Sequence, residues 1–146
     1  VYTVAVIDLF AHLYTALKND QYFIDELSGF RDAAGRFKVF KAGEAPTDET
    51  PFITVEMKPG TQDQRTSWVS PDAIFSVHGA DTDWKLLWAI ADQIRQIFQS
   101  ASELPAAGDN PAVNYALLGR AEFDEGKNPV TEHSVVSVAL RFGFDS

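Results

Sequence analysis

The chain has 146 residues, 45% hydrophobic and 23% charged, a composition that suits one packed soluble domain and excludes a disordered tail. It has no Cys, which removes disulfide frameworks, thiolate catalysis and Cys-ligated metal sites. Its 12 Lys and Arg stand against 21 Asp and Glu, a formal charge of −9, and are scattered singly from Lys18 to Arg141, which speaks against a protein that grips nucleic-acid phosphates.

In chain order, the apolar opening Val1 to Ile7 lacks a positive flank and meets Asp8 at once, so it predicts neither a signal peptide nor a membrane span. From Val4 to Lys18, Val6, Leu9, Phe10, Leu13 and Leu17 recur at helical spacing, with Asp8, His12 and Thr15 off that face and Thr3 as N-cap. Residues 20–35 mix Tyr22, Phe23, Ile24, Leu27 and Phe30 with polar residues and glycine, the pattern of a short helix or an ordered loop. Three strands are predicted next, at 36–41, 52–58 and 72–80. In the second, Ile53, Val55 and Met57 alternate with Thr54 and Glu56, and in the third Ala73, Phe75 and Val77 share a side. The segment 59–71 between them is too long for a tight hairpin and carries Trp68, which suits a protruding loop or extended hairpin.

The strongest helix spans 82–100, with Asp81 as N-cap and Asp83 in the first turn, where a carboxylate suits the helix dipole. Trp84, Leu87, Trp88, Ala91, Ile94 and Phe98 line one face, widened by Leu86, Ile90 and Ile97, so a sheet or other chains must cover it. After a Pro- and Gly-containing break at 104–111, strands are predicted at 113–123 and 133–144, joined by 124–129. In the last, Val136, Val138, Leu140, Phe142 and Phe144 alternate with Ser137, Ala139, Arg141 and Gly143. This order predicts one α+β domain over residues 1–146, a mostly antiparallel sheet of about four to five strands with two main helices on one face. Ile53, Val55, Met57, Phe75, Val77, Val136, Val138, Leu140 and Phe142 are then expected beneath Trp88, Ile94 and Phe98.

Catalytic patterns are missing. His12, His78 and His133 are far apart, and none has a second His or a Cys at metal spacing. No nucleophile elbow, phosphate loop or dinucleotide fingerprint is present. Asp81 and Asp83 could join His78 around a metal, but capping explains the same residues. We therefore expect no enzymatic site, no cofactor and no metal. Trp84 and Trp88 fit a core stripe better than a stacking platform. Trp68, among Thr, Ser, Gln and Arg, is either folded over the core or an interface anchor with Arg65 as its companion. Arg36, Lys38 and Lys41 suit charges that protect a sheet edge, and the same edge could pair with a neighbouring subunit.

The whole order resembles the tail-terminator (tail-completion) family of long-tailed bacteriophages. An N-terminal helix, a Pro-preceded strand in Ala45-Pro46-Thr47-Asp48-Glu49-Thr50-Pro51-Phe52-Ile53-Thr54-Val55-Glu56, a long polar loop and a strand leading into a helix carry the likeness. The helix at 83–98, with Ala91-Asp92 at its middle, and the ending 134–144 are similar to the family's mid-helix alanine segment and closing strand. The likeness covers most of the chain, is weakest at 20–43, and rests on element order and spacing, since the family has no catalytic signature. It implies a virion protein of the tail or neck region, assembled in the host cytoplasm. It further implies a ring, usually a hexamer, that caps the tail tube, stops its polymerisation and meets head-completion proteins, with no membrane partner. An acidic lumen would let DNA pass without sticking. Head-to-tail closure needs two different patches on each subunit. The candidates are the loop with Arg65 and Trp68, and the edge with Phe37, Lys38 and Lys41. Two other classes fit the sequence: a monomeric acidic adaptor, and a small ligand-binding or hydrolase domain using the His78–Asp83 region.

Overall fold

The computed structural model describes residues 6–44, 49–58, 62–63, 68–80, 82–129 and 132–145, with residues 6–8, 62–63, 68–69 and 145 described by their backbone alone. Thr3, Arg65 and Asp81 lie outside the described residues. The chain begins with α1 (Val6–Lys18) and a π-helical turn (Tyr22–Glu26), then β1 (Val39–Lys41) and β2 (Phe52–Lys58). Two short strands, β3 (Gln62–Asp63) and β4 (Trp68–Val69), precede β5 (Asp72–Gly79) and α2 (Trp84–Ser100). The rest comprises β6 (Glu103–Leu104), β7 (Val113–Asn114), β8 (Ala116–Leu117), β9 (Glu122–Lys127) and β10 (Ser134–Asp145).

The three clearest alternations become the middle of one sheet. β2 pairs antiparallel with β5, β5 antiparallel with β10, and β1 adds to β2 in parallel. Ser134 to Ala139 of β10 pair with β5 on one side and with β9 on the other. The end of β10 pairs with β8 and with β4, which itself pairs with β3. Directly opposed residues share a face, so register carries the apolar set of each strand onto one side. Ile53, Val77 and Val136 form one such row, and Val55, Phe75 and Val138 the next. All six are buried. The fold is α+β, with both helices over this row-built face.

Leu9, Leu13 and Leu17 of α1 and Leu87, Ile90, Ala91, Ile94 and Phe98 of α2 supply the cover, all buried. Gly79 admits Leu87 at close range, because a Cβ there would lie 2.6 Å from Leu87 Cδ2. Phe98 stacks on Phe75 at 5.5 Å and meets Phe142 edge-on at 5.4 Å, which ties α2 to β5 and β10. The Tyr115 hydroxyl donates to the Phe98 carbonyl at 2.6 Å, and burial pushes its pKa up to about 12. A second aromatic group of Tyr14, Phe23, Phe30 and Phe37 fills the space at the α1 end.

Several expectations are corrected. Residues 20–35 form the π-helical turn followed by a reversal in which Ser28, Gly29 and Phe30 all take positive φ. Helix α2 starts at Trp84, so Asp83 stands at the N-cap position rather than in the first turn, without a side-chain cap bond. The strand expected at 113–123 is broken twice: at Tyr115, whose amide bonds the Ser102 carbonyl between β7 and β8, and after β8, where Gly119 at φ +73 turns the chain out of extended conformation before β9. The longer partner of β10 straddles the end of that expected strand and the connection after it: β9 runs from Glu122 to Lys127, while β8 pairs with β10 over two residues. His12 is not off the apolar face but fully buried, with Nδ1 2.8 Å from the Pro105 carbonyl oxygen. Met57 is half-buried, and Trp88 is 37% exposed at the side of the helical layer, tilted on Phe123 at 5.5 Å.

Placing a charge at Val138 strands it in the middle row of the core. Val138→Asp is expected to cost about 3–5 kcal/mol. Val135→Thr, three residues away on the other face, should cost less than about 1 kcal/mol. Urea unfolding of the two variants followed by circular dichroism checks the facing of β10.

Candidate assembly surfaces

The face of the sheet away from the helices is built by the other half of each alternation. One row across it is Phe40, Thr54, Ser76, Ser137 and Asp124, in register from β1 to β9. The neighbouring row contains Phe52, His78, Val135 and Gly126, and another Glu56, Ile74, Ala139 and Glu122. Small hydroxyls thus occupy the middle, and carboxylates stand at the β9 side. The Arg141 guanidinium donates to the Asp72 carboxylate at 2.8 Å at the far end of this face, an exposed pair of modest energetic weight.

His78 is the most perturbed group on this face. Its ring stacks on Phe52 at 4.6 Å with an interplanar angle of 7°, and His133 meets Phe52 edge-on at 5.9 Å. Nε2 lies 2.9 Å from the Thr54 hydroxyl, while Nδ1 is buried without a hydrogen-bond partner among the described residues. Burial, and then the neighbouring His133, lower the His78 pKa to about 4, so the ring is neutral at neutral pH.

Ser76, His78, Asp124 and Ser137 line one shallow hollow of about 300 Å³, but the ring bonds Thr54 and neither serine nor carboxylate. A nucleophile, base and orienting carboxylate in sequence are therefore not assembled there. Asp83 belongs to a different hollow, with Thr82, Lys85, Leu86 and Ala89, so the His78–Asp83 region does not form one site. No group of three His, Cys, Asp or Glu residues able to hold a metal occurs among the described residues. No helix among them is long and apolar enough to cross a membrane.

The two margins of the sheet differ in chemistry. At the β1 margin, Asp32 is buried and accepts from the Ala34 and Arg36 amides at 3.0 and 2.9 Å and from the Arg36 guanidinium at 2.8 Å. Burial would raise its pKa, but those Arg36 and Ala34 contacts hold the carboxyl below its usual range. Phe37 is only 3% exposed and packs against Tyr14, Phe23 and Phe30, so its ring serves the core and is not offered to a partner. Lys38 is also buried, with its ammonium 4.8 Å from the centre of the Phe30 ring. Burial lowers its pKa, against the pull of Glu49 and Asp32. Lys41 is half-buried, its stem laid toward α1 and its ammonium 5.4 Å from the Phe10 ring centre.

At the opposite margin, Glu122, Asp124 and Glu125 of β9 are exposed, and the Trp88 indole donates to Glu125 at 2.5 Å. Trp68 contributes backbone to the β3–β4 ribbon, in register with Asp63 and Asp145, so β3 and β4 extend the sheet. The His78–Phe52–His133 stack and the Trp88–Glu125 bond were missed from sequence. Their members are dozens of residues apart, and only register brings them together.

No protein-family model and no curated protein matches the chain. A solved structure does. The fold is similar to that of a chain in the structure "Virion of native gene transfer agent (GTA) particle", with a TM-score of 0.65 and 17% identity, covering 99% of this chain and 100% of that chain. At that identity the likeness is one of fold.

Because the folded-state pKa of His78 lies below its unfolded value, the unfolded chain binds the extra proton first as pH falls. Stability contributed here is complete above about pH 6.5 and is lost towards pH 4. His78→Phe keeps the stack on Phe52 and removes the titration. Relative to this variant, the wild type should lose on the order of 2–3 kcal/mol between those pH values, measured by urea unfolding at each pH.

Proposed function

We propose that this chain is a structural protein of a phage-like particle that forms a ring at the end of a tail tube, terminates it and joins it to head-completion proteins. The observation that carries the reading is the full-length fold likeness to a chain of a gene transfer agent virion, reached independently of the element order that resembles the tail-terminator family.

A ring closes through head-to-tail contacts, and this subunit offers chemically different margins at the two sides of its sheet. The formal charge of −9, repeated around a ring, gives a lumen that repels DNA phosphates and lets the genome pass without sticking. The β3–β4 ribbon, with Trp68 on it and Arg65 beside it in sequence, is the segment we assign to contacts with the neighbour or the tube. The hydrolase reading gains no comparable support, since His78 and Asp83 line separate hollows.

Electron microscopy of the purified protein should show closed rings, and those rings should cap isolated tail tubes. A chain that stays monomeric at high concentration and inside particles would defeat the reading, because one subunit cannot close a tube end. Trp68→Ala is expected to leave the circular dichroism spectrum unchanged, shift the solution mass towards monomer by at least about tenfold in dissociation constant, and yield overlong tubes. Loss of the folded spectrum would assign Trp68 to the core instead.

A further inference from the structure

We infer that the joint between ring subunits is edge to edge, the basic margin at β1 of one copy meeting the acidic margin at β9 of the next. The inference rests on the ring reading above and specifies its contact. Its first support is topology. The row Phe40, Thr54, Ser76, Ser137 and Asp124 runs from β1 to β9, so these strands are the two sides of the same sheet, about 19 Å apart at ordinary strand spacing. Among the described strands β1 pairs only with β2, and β9 only with β10. β9 therefore turns one side of its backbone outward, whereas on the outer side of β1 the Val39 amide already bonds the Phe37 carbonyl and the Lys41 carbonyl the Glu44 amide, so the joint at β1 rests chiefly on side chains.

Charge supplies the second support. Basic residues that look scattered along the sequence are gathered by the fold: Arg31, Arg36, Lys38 and Lys41 lie in or beside β1. Arg31 and Arg36 are exposed, although Asp32 neutralises Arg36, and Glu49, whose carboxylate takes the Ala33 amide, lies on the same side. Across the sheet, Glu122, Asp124 and Glu125 of β9 are all exposed, with Lys127 at the strand's end. Glu44 also lies beside Lys41, so Arg31, Arg36, Lys38 and Lys41 stand against Asp32, Glu44 and Glu49, a cationic excess of one (4 − 3) that is the exception in a chain of charge −9 and has its complement on the opposite side of the same molecule. Complementary margins on one subunit define a heterologous contact, which closes into a ring when the rotation per subunit allows.

Strand direction is the third. β1 runs parallel to β2, and each later neighbour reverses, so β9 runs opposite to β1. Placed beside β1 of the next copy, β9 would run antiparallel to it, the commoner orientation of neighbouring strands.

The test reverses one margin at a time. Arg31→Glu with Lys41→Glu makes both margins acidic, and Glu122→Lys with Asp124→Lys makes both basic. Each double variant alone should remain folded by circular dichroism and run as a monomer at concentrations where the wild type is a ring. Mixed in equal amounts they should recover the ring, because alternation restores opposite charges at every joint, and an even-numbered ring accommodates it. Either variant assembling like the wild type, or a mixture that stays monomeric, overturns the joint while leaving the ring reading intact. A wild-type chain that never forms rings removes the ring reading and the joint together. If a variant fails to fold, the salt response of the wild type decides: the ring should dissociate more readily as salt rises, and an assembly insensitive to salt overturns the charge pairing.

Discussion

Everything in this structure is referred to one strand. β10 is 12 residues long, and its Ser134 to Ala139 portion hydrogen-bonds on both sides, to β5 and to β9. Its end then receives β8 and β4. An alternation of that length cannot slip by one residue without sending Val136, Val138, Leu140 and Phe142 to the wrong face at once. Register along β10 consequently determines which residues meet α2, which form the bare face, and where the margin at β9 falls. The helices follow from this: Phe98 reaches both Phe75 and Phe142 only because β5 and β10 are locked together.

The two faces of the sheet divide the work of the molecule. One is closed by aliphatic and aromatic side chains from both helices, and its energetics are those of a dry core. The other carries hydroxyls, an aromatic-imidazole stack and carboxylates, with no row apolar from end to end. A surface of that composition holds its shape without demanding a permanent cover. The contacts proposed above accordingly lie at the margins and on the β3–β4 ribbon rather than on this face.

Elements whose side chains repeat their environment were legible in the sequence, and those that depend on a distant partner were not. The alternations in β2, β5 and β10 and the stripes of α1 and α2 each report burial residue by residue. β9 sends no such signal: of its inward residues, Phe123 packs on Trp88 and Glu125 accepts the Trp88 indole proton, so an acidic residue sits where an apolar one would have marked the strand. Trp88 itself was placed with the core because helical spacing cannot tell the middle of a stripe from its border. Likewise Phe37 and Lys38 resembled an exposed edge in sequence, yet Phe37 enters the aromatic group at the α1 end and Lys38 is laid over Phe30. The π-helical turn and the run of positive φ that follows it have no periodic signature at all.

The strand that organises the sheet is also the one that comes after all its partners in chain order, and its Arg141 reaches back 69 residues to Asp72. Contacts of such separation form slowly, because a long loop must be closed before they are rewarded. Until β10 docks, β9 has no strand to lean on, and the acidic margin does not exist as a surface. In the ring proposed above, subunits would then become competent to associate only when their folding is finished, a form of quality control written into connectivity: an incompletely folded copy would lack one of the two sides of the proposed joint.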